Sequence, residues 1–194
     1  MDFTEKIKVL AKKAKEKDKQ KMSFGASSHQ YEFNPVISED KVREFEKNYK
    51  IKLPDAYVVY LTRVGNGGAG PDYGLYSLET VAKRNKHWLS KQSDEIFLDK
   101  KDKAKEWKEM CELYDQAAEL ENDEECMRIE EKMYNGALVI STPGCTMYTI
   151  LMCKGENYGK IGIVDTDMVE EYEPHISDKT FEEWILEYFQ SFSD

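Results

Sequence analysis

The segment Gly65-Asn66-Gly67-Gly68-Ala69-Gly70 is the first part of the chain whose residue types could do chemistry. The backbone N–H groups of a glycine-rich loop can bind phosphate, and a P-loop does so between a strand and a helix that opens with Lys-Ser or Lys-Thr. Here a helical pattern precedes the glycines, no lysine follows them, and the next residues have an extended pattern. This mismatch favours a structural turn over a phosphate site.

Cys145 could act as a nucleophile if a base lay beside its thiol. The chain contains three histidines that could supply that base: His29, His87 and His175. The sequence places none of them next to Cys145, which follows a glycine turn at the predicted start of a strand. A small packing residue is therefore the favoured interpretation, and catalysis is the alternative.

The cysteines as a group do not indicate a metal site or a disulfide framework. The chain has four of them: Cys111, Cys126, Cys145 and Cys153. None has Cys-x-x-Cys spacing, and a zinc site built from Cys145, Cys153 and two histidines would have no recognisable ligand spacing. We therefore expect reduced thiols in a cytoplasmic protein, with no metal and no other cofactor.

Carboxylates crowd the C-terminal part of the chain and are the main candidates for a binding site. Residues 165–194 contain ten acids and a single base, Lys179. They lack the spacing and the glycine of an EF-hand calcium loop. A solvated surface would explain them without a function, whereas a docking surface would use the clustered charge to select a basic partner. The residues expected to form that docking surface are Asp165, Asp167, Glu170, Glu171, Tyr172 and Glu173.

The charge of the whole chain narrows the class of partner. The net charge of -10 at pH 7 argues against direct nucleic-acid binding and favours a basic protein. Residues 1–22 have the opposite balance, with eight lysines and four acids. They lack the apolar centre of a secretory signal, and no run approaches the roughly 18 apolar residues of a membrane span. We therefore expect no membrane contact, although a lysine-rich arm that touches an acidic partner or a membrane is an alternative for residues 1–22.

Helical patterns in the first half of the chain predict the elements that hold these residues. Residues 1–22 form a charged amphipathic helix, and Ser38 caps a second helix over 39–49. Pro54 occupies the first position of a third helix, which Gly65 ends in the left-handed conformation. Residues 73–78 have the pattern of a short extended segment.

The second half combines charged helices with apolar strands. A short helix or irregular linker over 79–100 ends in a brief strand, Ile96–Leu98, and residues 101–134 form helices broken at Asn122-Asp123. Thr180 and Glu183 form a capping box at the start of the last helix. Three strands, with a turn at Ser141–Gly144, are predicted to form an antiparallel meander: 137–140, 145–153 and 161–164.

Several short motifs in this order resemble the SUKH superfamily, in the branch that contains fungal cell-wall-assembly regulators and bacterial toxin-immunity proteins. The resemblance covers roughly residues 35–190. The positions that carry it are Pro54, Tyr57, Gly65, Gly67, Gly68, Gly70, Pro71, Gly74, Gly144, Cys145, Gly155, Gly159 and Trp184.

The resemblance implies a single α+β domain with a mainly antiparallel sheet packed by helices. It places residues 23–194 in the domain, with a charged helical region at 99–134 and an added N-terminal helix at 1–22. It also implies a non-catalytic protein-binding role and supplies no catalytic residues. An immunity protein that neutralises a basic toxin domain is the favoured expectation, and a regulatory adaptor or scaffold is the alternative. Neither the partner nor the oligomeric state follows from the sequence.

Overall fold

Four antiparallel strands form the sheet at the centre of the molecule, in the order β1-β2-β3-β4. The computed structural model describes residues 2–90 and 93–192. The strands are β1 (Ala137–Gly144), β2 (Met147–Met152), β3 (Lys160–Asp165) and β4 (His175–Thr180). The helices are α1 (Phe3–Lys17), α2 (Ala26–His29), α3 (Glu39–Tyr49), α4 (Asp55–Val59), α5 (Leu78–Arg84), α6 (Lys86–Ser90), α7 (Ala104–Glu119), α8 (Asp123–Tyr134) and α9 (Phe181–Gln190). The expected α+β fold is confirmed.

The two faces of the sheet pack against different sets of helices. Successive side chains of a strand point to opposite faces, and the core residues of this sheet separate accordingly. One face contributes Leu138, Ile140, Leu151, Cys153 and Ile161 to a first core. The other contributes Ala137, Val139, Ile150, Met152 and Val164 to a second core. The fold therefore has a helical layer on each side of the sheet.

Helices α1, α3, α4, α5 and α9 form the first layer. Aromatic side chains dominate its centre, where the ring of Phe181 lies 5.0 Å from that of Tyr57 and 5.6 Å from that of Tyr60. Helix α1 packs on α9 through its apolar stripe, of which Ile7 and Ala14 are fully buried. Thr180 and Glu183 form the predicted capping box at the start of α9.

Helices α7 and α8 form the second layer together with one side of α6, whose Leu89 lies in the first core while its Trp88 lies in the second. The rings of Trp88 and Tyr134 stack there with their centroids 4.0 Å apart. Trp107 of α7 and Met133 of α8 are buried in the same core. Asn122 caps α8 by accepting a hydrogen bond from the backbone N–H of Glu125, so the predicted break between the two helices is confirmed.

The sheet differs from the predicted three-stranded meander because it has a fourth strand. Strand β4 pairs antiparallel with β3 at the edge of the sheet. Its sequence, His-Ile-Ser-Asp-Lys-Thr, is polar and largely exposed, so it lacks the apolar alternation that marks a half-buried strand. The first hairpin also differs, because β1 continues to Gly144 and the chain turns at Cys145 and Thr146 instead of at Ser141–Gly144.

The segment from Pro54 to Gly65 departs from the prediction at both ends. Pro54 is the N-cap residue of α4, one position before the helix. A π-helical turn, Tyr60–Val64, continues α4 and ends at Gly65, whose backbone is extended (φ 179°) and not left-handed. Glycine is required there for space, because a Cβ would lie 2.7 Å from the Cβ of Phe33.

Two segments predicted to be extended are helical or irregular. Leu78 begins α5 after the N-cap residue Ser77, and the residues before it form an isolated bridge between Gly68 and Leu75 and single backbone hydrogen bonds to β1, but no strand. Phe97–Asp99 is a 3₁₀ turn and not a strand, with Phe97 and Leu98 buried in the second core. Within residues 2–90 and 93–192, no helix is long and apolar enough to cross a bilayer.

Candidate functional site

Backbone N–H groups of the glycine loop donate hydrogen bonds to carbonyl oxygens of the protein itself. The N–H of Gly68 donates to the carbonyl oxygen of Leu75 (2.9 Å), and that of Ala69 donates to the carbonyl oxygen of Glu32 (2.8 Å). Gly68 has a positive φ of 95°, and a Cβ there would lie 2.5 Å from the Glu32 oxygen. The loop thus joins residues 32–34 to residues 75–76, and these donors are not free to bind a phosphate.

Buried polar side chains fix the two ends of this loop. Asn66 accepts a hydrogen bond from the N–H of Leu78 (2.8 Å) and donates to Glu79 (2.9 Å), which lowers the pKa of the Glu79 carboxyl. Asp72 accepts hydrogen bonds from the hydroxyls of Ser141 (2.5 Å) and Thr149 (2.6 Å) on the sheet. Gly70, Pro71 and Gly74 lie buried between these anchors. The arrangement stabilises backbone shape and presents no ligand cradle.

Cys145 lies exposed in the β1–β2 turn with a φ of 51°. His175 begins β4 and pairs with Ile163 of β3, which pairs in turn with Thr149 of β2. Because Thr149 lies four residues after Cys145 and β4 lies two strands from β2, His175 is roughly 13 Å along the sheet and roughly 10 Å across it from Cys145. His29 is engaged elsewhere, since its ring contacts the Tyr188 hydroxyl (3.1 Å), and burial lowers its pKa. Neither histidine is placed to activate the thiol.

The cysteines are also too far apart for the zinc site that the sequence left as an alternative. Cys145 and Cys153 lie at opposite ends of β2, roughly 26 Å apart at the rise of an extended strand. Burial raises the pKa of the Cys153 thiol well above its ordinary range, which opposes metal binding by a thiolate. Among the described residues, no group of three or more His, Cys, Asp and Glu side chains could hold a metal ion.

The carboxylates expected to bind a partner lie in the connection from β3 to β4, and the first of them is buried. Asp165 is 3% exposed at the end of β3. Its carbonyl oxygen accepts a hydrogen bond from the Tyr134 hydroxyl (3.2 Å), and its Oδ1 accepts one from the backbone N–H of Asp167 (3.1 Å). Asp165 therefore shapes the start of the connection and is not available for direct contact with a partner.

The middle of this connection is attached to α7. The indole N–H of Trp107 donates to the carbonyl oxygen of Glu170 (3.1 Å), and Lys108 donates to the Glu170 carboxylate (2.8 Å). Donation of this hydrogen bond to the Glu170 carboxylate raises the pKa of Lys108. Lys103 forms a second, longer ion pair with Glu173 (3.7 Å). These contacts hold the acidic connection in one position on the second layer.

Carboxylates of α7 meet those of the connection on one exposed surface. Glu112 and Glu171 both act electrostatically on Lys108. The pKa of the Cys111 thiol is raised to about 12, mainly by burial. The negative charges of Asp115, Glu170 and Glu171 raise it further. Tyr172 directly follows Glu171 in the connection and is 58% exposed. We refer to the following residues as the acidic face: Glu112, Asp115, Asp167, Glu170, Glu171 and Tyr172.

The contribution of α7 to this surface was missed in the sequence, although a signal was present. Residues 109–131 contain ten acids and a single base, Arg128. A helical period assigns the apolar residues of that segment to the core and says nothing about which loop lies beside its polar side. The hydrogen bond from Trp107 to Glu170 is the contact that shows the β3–β4 connection lying beside α7.

Comparison with known proteins identifies a family for this chain. A family model described as the SMI1/KNR4 family (SUKH-1) matches residues 36–187, which is most of the chain. No curated protein and no solved structure gives a significant match. Members of the matched family are generally non-enzymatic. On the extent of this match, the chain belongs to the SMI1/KNR4 (SUKH-1) family.

Proposed function

We propose that this protein is a non-catalytic binding module of the immunity type, which neutralises a basic toxin domain by covering it with the acidic face. The observation that carries the proposal is the convergence of carboxylates from α7 and from the β3–β4 connection beside the exposed Tyr172. Membership of a generally non-enzymatic family supports a binding role over catalysis.

The acidic face combines two features of protein-binding surfaces. Clustered charge of one sign accelerates encounter with an oppositely charged partner and disfavours acidic competitors. An exposed tyrosine can supply a large apolar contact and a hydroxyl, and such residues often carry much of the binding energy. Tyr172 provides that anchor, while Asp167 and Glu171 provide charge without a salt bridge to a described residue.

The attachment of the connection to α7 favours tight binding. A loop that is ordered before binding loses less conformational entropy when the partner arrives. The hydrogen bond from Trp107 to Glu170 and the ion pair with Lys108 supply that order. The partner would therefore meet an acidic face that already has its bound shape.

A regulatory adaptor of the cell-wall-regulator type is the second candidate, and the N-terminal helix favours it. Helix α1 packs its apolar stripe on the first layer, whereas its lysines Lys8, Lys12 and Lys13 remain exposed. A lysine-bearing surface in one layer and the acidic face in the other could hold two partners at once. An adaptor of this kind would bind several partners with modest, salt-sensitive affinity.

The proposal places the protein in the cytoplasm and assigns it no cofactor. The four cysteines are free thiols in the structure, which suits a reducing compartment. Nucleic acid is not proposed as a direct ligand because the net charge is -10.

A pull-down from the native host at two salt concentrations separates the two candidates. An immunity protein should retain one stoichiometric basic partner at high salt, because apolar contacts around Tyr172 survive screening. An adaptor should yield several partners that are lost at high salt. Recovery of a predominantly acidic partner would contradict the proposed use of the acidic face.

A further inference from the structure

A groove with lysines on both sides lies between α3 and the α5–α6 segment: Lys50 is the C-cap residue of α3, and Lys83 and Lys86 belong to α5 and α6. One part of it, with a volume of about 740 Å³, is lined by Tyr49, Lys50, Ala82, Lys83, Lys86 and Leu89, together with Asn48. This part contains three lysines and no carboxylate. Within the described residues, Lys50, Lys83 and Lys86 form no salt bridge. In a chain of net charge -10, this groove is a local basic site.

The groove continues into an adjoining apolar pocket. The two share Asn48, Tyr49 and Ala82, and the second pocket opens onto Phe45 and Leu78. Lys41, Glu44 and Glu79 line that second pocket, so the net positive charge of the groove is concentrated at the end near Lys86. Helix α3, which forms one wall, is about 16 Å long, since each of its 11 residues adds about 1.5 Å. The size and the apolar floor suit two to three turns of an amphipathic helix.

A ridge with the complementary chemistry lies on the second layer of the same protein. Leu113 and Leu120 of the α7 segment are 50% and 79% exposed, and their positions are seven residues apart. Leu113 lies within α7 and Leu120 is its C-cap residue, so that separation places them on one side of the helix end about 10 Å apart. Glu109, Glu119 and Glu121 flank them and are exposed. The ridge therefore presents two leucines within a field of negative charge.

We propose that the groove of one molecule receives the α7 ridge of a second copy, so that the protein self-associates head to tail. The apolar floor of the groove fits a helix with exposed apolar side chains, and its lysines fit acidic side chains. The ridge has both kinds of side chain. The groove helices contribute Phe45, Leu78 and Val81 to the first core, whereas α7 contributes Trp107 and Met110 to the second. Because the two surfaces lie on opposite sides of the sheet, a molecule cannot place its own ridge in its own groove. A contact between two different surfaces of this kind leaves a free groove and a free ridge at the ends of the assembly.

The proposed self-association does not rest on the proposed toxin binding, but the ridge and the acidic face share helix α7. Glu112 of the acidic face and Leu113 of the ridge are consecutive residues of α7. Occupation of the ridge by a second copy would therefore reduce access to the acidic face, and dilution would restore it.

The test measures the mean molar mass by light scattering over a concentration series, with circular dichroism as the check of folding. We expect the mass of the wild-type protein to rise with concentration beyond that of a dimer. The groove variant Lys83→Glu/Lys86→Glu and the ridge variant Leu113→Lys/Leu120→Lys should each remain monomeric. The matched control Lys12→Glu/Lys13→Glu, which carries the same charge change on α1, should associate like the wild type.

Mixing the two variants gives the decisive result. The groove variant keeps its ridge and the ridge variant keeps its groove, so an equimolar mixture should form a 1:1 dimer and nothing larger. A wild-type protein that stays monomeric up to its solubility limit would overturn the proposal. It would also be overturned by a groove variant or ridge variant that associates like the wild type, or by a mixture that remains monomeric. The single-site variant Lys86→Glu should associate more weakly than the wild type, and equal association would contradict the assigned role of Lys86.

Discussion

The two helical layers share one sheet but differ in what they do with their side chains. The first layer concentrates aromatic residues in its interior, where Phe181 lies between Tyr57 and Tyr60. The second layer also buries aromatic residues, but it uses one of them, Trp107, to hold an acidic connection at the surface. The difference indicates that the first layer mainly stabilises the fold, whereas the second positions the residues proposed to recognise a partner.

The largest effect should follow from a cavity in the first layer. Phe181→Ala removes a ring that is 1% exposed, and a large-to-small change of this kind costs about 3–5 kcal/mol of the free energy of unfolding. Denaturant unfolding followed by circular dichroism measures the loss. Tyr172→Ala, on the acidic face, is the control and should change stability by less than about 0.5 kcal/mol. Equal losses from the two substitutions would remove the distinction between the layers.

A smaller effect is expected where the first layer is joined to the sheet. Asn85 is fully buried and exchanges hydrogen bonds with the backbone of Val139, accepting from its N–H (2.8 Å) and donating to its carbonyl oxygen (3.1 Å). Asn85→Leu leaves both backbone groups unpaired, which costs about 1–3 kcal/mol. Thermal unfolding measures the change, and the exposed Asn48→Ala serves as the control. An unchanged melting temperature would show that Asn85 does not couple α5 to β1.

In the second layer, Trp107→Phe should affect the connection more than the fold. The substitution keeps an apolar ring but removes the indole donor to Glu170, at a cost of about 0.5–1.5 kcal/mol. Hydrogen exchange of the amides in residues 166–173 should become faster, while exchange in α9 stays unchanged. Uniformly faster exchange would instead assign Trp107 a global role in stability.

The smallest effect concerns the pH dependence at the end of α1. The hydroxyl of Tyr31 donates to Asp18 (2.6 Å), and this hydrogen bond is the main reason that the pKa of Asp18 falls to about 2. A depressed carboxyl pKa contributes stability above the ordinary value near 4, and this contribution is lost as the pH falls towards 2. Tyr31→Phe should raise the Asp18 pKa, as followed by NMR titration. A titration curve that does not move would assign the shift to the backbone donors Met22 and Ser23.

Local signals predicted several helix boundaries, although the segment from Pro54 to Gly65 departed from the prediction at both ends. Ser38, Asn122 and Thr180 cap helices by accepting backbone hydrogen bonds from residues three positions later, and this pattern is visible in the sequence. The edge strand β4 was missed because only one of its faces meets the protein, and its residues are polar.

The candidate site could be predicted only in part, because its definition depends on tertiary contacts. The excess of acids after residue 165 was visible, but a charge count does not show that Asp165 is buried beneath Tyr134. Nor does it show that α7 lies beside the connection. The need for glycine at position 65 also depends on a tertiary contact, because Phe33, which is distant in sequence, leaves no room for a Cβ there.

The central claim is that the acidic face binds a basic protein partner, and titration calorimetry with the recovered partner tests it most directly. The variant Glu112→Lys/Asp167→Lys/Glu171→Lys is compared with Glu16→Lys/Glu156→Lys/Asp178→Lys, which makes the same change in net charge at exposed sites outside the acidic face. We predict that the first variant loses at least about 100-fold in affinity, because like charges facing each other across an interface cost several kcal/mol, and that the second loses less than about 5-fold. Equal affinities for the two variants would contradict the account, since only the total charge of the protein would then matter.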